Sequence, residues 1–312
     1  MVEKARENGM RIIAIGDKKT PLVDWPEGTE FVSLNQQKKL DYSLVADLPE
    51  NHYARKNVGY LLAMSRQSAL IFDTDDDNAP LDSWRARASQ TAARPSFDSG
   101  WINAYRWFSD THIWPRGLPL DKATHSAAPG NLGAVTDVIS PIQQGLANGS
   151  PDVDAVWRLL MDKEVIFKAA DSVQLLPGAW CPFNSQSTWW FPAAYPLMYL
   201  PSFVSFRMTD IWRSFIAQRC LWALGYGVVF HEAEMFQDRN PHNLMRDFEQ
   251  EVPGYLNNER IRVVLEGLNL RTGQEEVSNN LHRCYDSLIK AHLIPKSEMK
   301  LVDAWLTDIA KT

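Results

Sequence analysis

Four carboxylates fall within five residues at Asp73-Thr74-Asp75-Asp76-Asp77, directly after the apolar run Ala69-Leu70-Ile71-Phe72 and before Asn78. Like charges this close repel, and a fold that gathers them at the end of a buried strand does so to hold a divalent cation. The apolar lead-in separates this cluster from a solvated turn, because a central strand of an α/β sheet reads as a short continuous hydrophobic run. In open α/β sheets ligands bind at the carboxyl ends of strands, and an Asp-x-Asp there suits Mg2+ or Mn2+ set against the diphosphate of a nucleotide-sugar. Asp75 and Asp77 are therefore the candidate metal ligands, bound directly or through water. Asp76 is a candidate for holding the ribose or supporting those ligands, and Asp73, one residue inside the strand, reads as structural.

Other residues offer complementary chemistry. Asp210 stands at the start of a predicted helix, where the dipole favours its ionised form; it suits a general base on an acceptor hydroxyl and equally a helix cap. Arg116, in the turn Trp114-Pro115-Arg116-Gly117, is a rigidly held guanidinium suited to clamping phosphates or acceptor groups. Asp17, Lys19 and Arg55 are candidates for the nucleotide pocket, one acceptor for base or ribose and two cations for the diphosphate. Asn184 and Gln186 are candidates for hydrogen bonds to sugar hydroxyls, with Trp189 and Trp190 as stacking faces or, equally, as core.

The elements that must position these residues follow from apolar periodicity. Arg11 to Ile15 before Gly16-Asp17 reads as a first strand opening into a loop, Phe31 to Leu34 as a short strand, and Asn51 to Ser68 as a helix with Val58, Leu61 and Leu62 on one side. Strand, helix and strand in this order predict a parallel sheet with right-handed crossovers. The polar segment 79–113 reads as a long excursion with an indistinct helix around Ser83 to Ala93. Ser150-Pro151 predicts a helix start, with Val153, Val156, Leu159 and Leu160 at helical spacing. A further helix runs from Thr209 to Leu224, stopped by Gly225, and Tyr226 to His231 resumes a strand. Beyond Pro253 the texture is helical, with Val277, Leu281, Cys284 and Leu288 on one face and Val302, Trp305, Leu306 and Ile309 on another. The expected organisation is a ligand-binding domain over residues 1–252 and a helical cap over 253–312 packed on it.

Composition bounds the function. A net charge of -6 argues against non-specific binding to nucleic acid or an anionic membrane. Cys181, Cys220 and Cys284 are widely spaced without a Cys-x-x-Cys pair, which predicts buried free thiols. The most apolar stretch, Trp189 to Phe206, carries Pro192, Pro196 and Pro201 and does not read as a membrane-spanning helix. A soluble, cytoplasmic chain is expected, with Golgi or membrane association through a partner left open. There is no Gly-x-Ser-x-Gly, no P-loop and no Gly-x-Gly-x-x-Gly, and the histidines show no metal-ligand spacing.

As an ordered set, Gly16-Asp17-Lys18-Lys19-Thr20-Pro21, Arg55-Lys56-Asn57-Val58-Gly59-Tyr60-Leu61, Phe72 to Asp77, Trp114 to Leu120, Ile142-Gln143-Gln144-Gly145 with Pro151 to Ala155, Pro182 to Gln186, and Arg207 to Arg213 resemble the STELLO-type glycosyltransferase family from about Arg11 to Asn243. More distantly, the triple aspartate, Arg116-Gly117 and Asp210-Ile211-Trp212 are similar to the plant reversibly glycosylated polypeptides, which include UDP-arabinopyranose mutases. The resemblance implies a GT-A-like, Rossmann-type fold with a mostly parallel sheet flanked by helices, a UDP-sugar donor, Mn2+ or Mg2+, and a carbohydrate or glycoconjugate acceptor. Reaction type does not carry over, because one relative is associated with sugar transfer and the other with ring interconversion; glycosyl transfer to an acceptor hydroxyl is the favoured reading. The rivals are a UDP-sugar mutase or self-glycosylating protein, since Arg116 matches the arginine that becomes glycosylated in the plant proteins, and a non-catalytic scaffold. GT-A enzymes often supply a late histidine to the metal; here Gln237, Asp238 and His242 are the candidates for a third ligand. An oligomer is compatible with all of these readings.

Overall fold

Between residues 71 and 237 the chain builds one large sheet and a separate short parallel pair at 100–101 and 179–180. The computed structural model describes residues 1–312 apart from 22, 126 and 239–242. The strands are β1 (Ile12–Ile15), β2 (Thr29–Val32), β3 (Ile71–Asp73), β4 (Asn78–Pro80), β5 (Gln90–Ser96), β6 (Gly100–Trp101), β7 (Thr136–Ile139), β8 (Ile142–Gly149), β9 (Val173–Leu175), β10 (Ala179–Trp180), β11 (Thr188–Trp190) and β12 (Val228–Gln237). The large sheet has the order β3-β11-β8-β12-β9-β5-β7, with β4 paired to the far end of β12. The parallel pairs β8–β12 and β5–β9 and the antiparallel partners of each give β3, β8, β12 and β7 one direction. The carboxyl ends of β3, β8 and β12 therefore open on the same edge, although β11 lies antiparallel between β3 and β8. β1 and β2 pair in parallel as a separate ribbon.

The helices are α1 (Val2–Glu7), α2 (Leu34–Gln37), α3 (Lys56–Ser65), α4 (Leu120–Ala123), α5 (Ala155–Met161), α6 (Thr209–Ala223), α7 (Leu244–Glu266), α8 (Val277–Lys290) and α9 (Glu298–Ile309). One buried apolar cluster joins sheet residues Ile142, Val173 and Phe230 to Phe215 and Cys220 of α6 and to Leu281, Cys284 and Trp305 of α8 and α9. This is the α/β architecture with packed C-terminal helices that the sequence implies. α7 runs unbroken through positions 252 and 253, with Pro253 inside it.

Some local expectations change. The helix expected from Ser150 begins at Ala155, capped by Asp154, whose side chain accepts from Trp157 N. β8 extends to Gly149, and the next residues form a turn in which Arg116 N donates to Asp152 O and Val153 N to Pro151 O, so the helix starts only after it. Leu159 and Leu160 are correspondingly exposed rather than inward. Of the helix suggested around Ser83 to Ala93, residues 83–89 form neither helix nor strand and the last four begin β5, where pairing with β7 and β9 overrides a weak local preference. β12 continues well past His231, through two register shifts that bracket Ala233.

Candidate functional site

A cleft of about 240 Å³ lies at this edge, lined by Tyr53, Asp75, Asp76, Asp77, Arg116, Asp152, Arg158, Gln186, Phe206, Arg207, Asp210 and Gln237 among others. The turn after β3 delivers the three aspartates, the turn after β8 delivers Asp152, the first turn of α6 delivers Asp210, and the end of β12 delivers Gln237. A larger open depression of about 920 Å³ near Asn269 and Arg283 shares no residue with it and gathers no comparable set of carboxylates.

Buried charge is paired throughout the site. Asp73 is 2% exposed and sits between Lys56 Nζ at 2.6 Å and Arg213 Nη1 at 3.1 Å. Burial pushes its pKa up, and the two cations more than offset this and hold it below the usual carboxylate range. Lys56 also donates to Asp75 Oδ1 at 2.9 Å, and Tyr53 Oη donates to the same oxygen at 2.8 Å. Burial nevertheless raises Asp75 to about 6, with the charge of Asp73 adding to the rise.

Across the cleft, Arg116 is 6% exposed and engaged on every donor. Its Nε and Nη2 donate to Asp152 at 2.7 and 2.8 Å, its Nη1 and Nη2 donate to Asp210 at 3.0 and 2.9 Å, and Nη1 also donates to Arg207 O. Burial pushes Asp210 upward, but the Arg116 charge and hydrogen bonds prevail and hold it low. A carboxylate so held is a weak proton acceptor and a strong anchor.

Of the residues singled out in the sequence, the fold brings Asp75, Asp76, Asp77, Arg116, Asp210 and Gln186 into one cleft. Asp17, Lys19, Arg55 and Asn184 lie outside its lining. Asp17 accepts from the backbone N–H groups of Asn51 and His52 at 2.6 and 2.8 Å and so ties two loops together. Arg55 is buried and donates to Gln37 Oε1 and to the carbonyls of Leu48 and Pro49. Lys19 is exposed. Asn184 is buried against Gln144 and Tyr105. Trp189 and Trp190 are 0% exposed and belong to the core, Trp189 against Phe72 and Trp84 and Trp190 against Phe183, so they offer no sugar-stacking face.

Gln237 Nε2 donates to Asp77 Oδ2 at 2.9 Å, and Gln186 Nε2 donates to Gln237 Oε1 at 2.6 Å. Gln237 thus orients Asp77 with its carbonyl already engaged. Asp238 is exposed, and His242 lies outside the described residues. Among the described residues no group of three or more His, Cys, Asp or Glu side chains converges as a closed metal cage. Two carboxylates two residues apart on one turn, Asp75 and Asp77, fit a hard cation that completes its shell with water and substrate phosphates.

Lys56, Tyr53, Asp152, Arg158 and Arg207 were not singled out, although each sits inside or beside a recognised motif. The one signal available was position: Lys56 adjoins Arg55 at a helix start, where consecutive side chains diverge by about 100°. No helix among the described residues is long and apolar enough to cross a membrane. All three cysteines are free and buried, as expected.

Comparison with known proteins agrees with the motif resemblance. A family profile described as STELLO glycosyltransferases matches residues 207–312, from the turn before α6 to the C-terminal helices. Probable glycosyltransferases STELLO2 and STELLO1 of Arabidopsis thaliana are each 31% identical over 249 residues, covering 70% of this chain and 31% of the relative. The chain thus spans about a third of the length of these curated relatives. On these matches and on the ordered motifs that line the cleft, the chain is similar to the STELLO glycosyltransferases.

Proposed function

We propose that the chain transfers a glycosyl group from a nucleoside-diphosphate sugar of the uridine class to an acceptor hydroxyl on a carbohydrate or glycoconjugate, with Mn2+ or Mg2+ as cofactor. The observation that carries this reading is the convergence of Asp75, Asp76, Asp77, Asp152 and Asp210 on one cleft at the carboxyl edge of β3, β8 and β12. Five carboxylates against the guanidiniums of Arg116, Arg158 and Arg207 leave a net negative site, which repels a diphosphate unless a cation intervenes. Asp75 and Asp77 are the residues to hold that cation, which neutralises charge on the departing diphosphate. Arg158 and Arg207 line the cleft and are the candidate cations for the phosphates, although Arg207 Nε and Nη2 are already held by Glu251 at 3.0 and 2.8 Å and Arg158 Nη2 donates to Pro151 O; Asp76 and Gln186 are the candidates for ribose or sugar hydroxyls. Asp210, ionised and anchored by Arg116, accepts a hydrogen bond from the acceptor hydroxyl and orients it.

Self-glycosylation at Arg116 would require freeing a guanidinium nitrogen, and each of the three is already hydrogen-bonded to Asp152, Asp210 or Arg207 O, so the transferase reading is preferred. The test is thermal unfolding with UDP and a panel of UDP-sugars, with and without Mn2+. A ligand bound only by the folded chain at one hundred times its Kd adds about 2.7 kcal/mol. A Mn2+-dependent rise in Tm, lost in Asp75→Ala, is the expected result. No shift with any nucleotide favours a scaffold that keeps the fold without the chemistry.

A further inference from the structure

The base of the aspartate turn contains a device that no motif announces. Lys56, the first residue of α3, directs its ammonium at Asp73 Oδ1 (2.6 Å), Asp75 Oδ1 (2.9 Å), Thr74 O (3.0 Å) and Tyr53 Oη (3.3 Å). An ammonium has three hydrogens, and every acceptor around this one is supplied by the protein, so it has no donor to spare for a phosphate. Tyr53 Oη adds a second donor to the same Asp75 oxygen at 2.8 Å. Asp75 Oδ2 accepts no hydrogen bond among the described residues, and Asp75 lines the cleft.

We infer that Lys56 and Tyr53 form a clamp that grips Asp75 by Oδ1 and thereby presents Oδ2 to the divalent cation. Both are positioning residues, and the inference rests on the metal reading given above. The clamp also links the metal ligand to the Asp73–Arg213 pair, so the acidic turn is fixed to α3 and α6 rather than left to the loop. Pre-set ligand geometry lowers the ordering cost of binding, and the groups that orient a ligand commonly change metal affinity by factors of about 10 to 100.

Charge alone and positioning predict opposite signs, which makes the clamp testable. Removing a cation beside a cation site tightens metal binding by Coulomb's law; removing a clamp loosens it. Mn2+ affinity is to be measured by electron paramagnetic resonance in the presence of UDP, alongside metal-free thermal unfolding. Lys56→Met should weaken Mn2+ at least about tenfold, Tyr53→Phe about threefold or more, and Lys56→Arg should recover most of the loss. Unchanged or tighter Mn2+ binding by folded Lys56→Met overturns the clamp. If Lys56→Met fails to fold, Tyr53→Phe decides: it removes one hydrogen bond without altering charge, and unchanged affinity there also overturns it. No Mn2+ binding by the wild-type chain, with or without UDP, refutes the metal reading itself and removes this inference with it.

Discussion

Arg116 and Asp152 form a two-pronged ion pair, Nε to Oδ1 at 2.7 Å and Nη2 to Oδ2 at 2.8 Å, with each side chain only 8% exposed. The same guanidinium reaches Asp210 from its other edge, so one cation joins the turn after β8 to the start of α6. Removing it strands two buried carboxylates. Arg116→Ala should cost about 3–5 kcal/mol in denaturant unfolding. Arg116→Lys keeps the charge and loses the planar fork, so it should recover only part of that loss. A stable, fully folded Arg116→Ala would show that the pair is not what holds the two turns together.

Gly117, next in sequence, has φ +96, and a Cβ there would lie 2.4 Å from Ile211 Cγ2 and 3.1 Å from Pro182 Cβ. Both the backbone conformation and the close approach require glycine. Gly117→Ala should destabilise by about 2 kcal/mol or more. Because Ile211 follows Asp210, the shift should also reduce the nucleotide response, read as a smaller Tm increment with UDP and Mn2+.

Arg55 separates the sequence reading from the structural one. If its guanidinium gripped a diphosphate, Arg55→Met would abolish nucleotide binding. Its bonds instead run to Gln37 and two carbonyls in the interior, so the substitution should lower stability by about 2–3 kcal/mol and leave the Mn2+-dependent UDP shift intact once the lower starting Tm is allowed for.

Asp154 predicts a pH dependence. It caps α5, is fully buried, and burial raises its pKa from 3.8 to about 7, with the hydrogen bonds from Trp157 N and Trp114 Nε1 opposing the rise. The folded chain thus holds a proton that the unfolded chain has lost, so the contribution is fully present below about pH 4 and disappears as pH rises through about 7. At about 1.4 kcal/mol per pH unit, this contribution reaches at most about 4 kcal/mol. Asp154→Asn should flatten the fall of stability between pH 4 and pH 7 relative to wild type, measured by urea unfolding at each pH. Parallel pH profiles would remove Asp154 as the cause.

Local chemistry determined a good deal from the sequence alone. The apolar run before Asp73 specifies a buried strand with acidic residues at its end, and α6, α8 and α9 are legible because their apolar spacing repeats over three turns or more. The motif segments that line the cleft were also legible. Which side chain within each segment faces it was not, because that depends on packing partners distant in sequence. Arg55 and Lys56 are adjacent cations at a helix start, and only the docking of α3 onto β1, which brings its first residue to the end of β3, turns Lys56 toward the aspartates and Arg55 into the interior. Trp189 and Trp190 offered stacking faces until β11 was placed between β3 and β8, where both side chains are enclosed. Arg116 and Asp210 stand 94 residues apart, and their pairing is an electrostatic consequence of bringing two turns to one sheet edge. Periodicity reports how each segment meets solvent or core, whereas the site is made of contacts between segments, and only the folded chain supplies those.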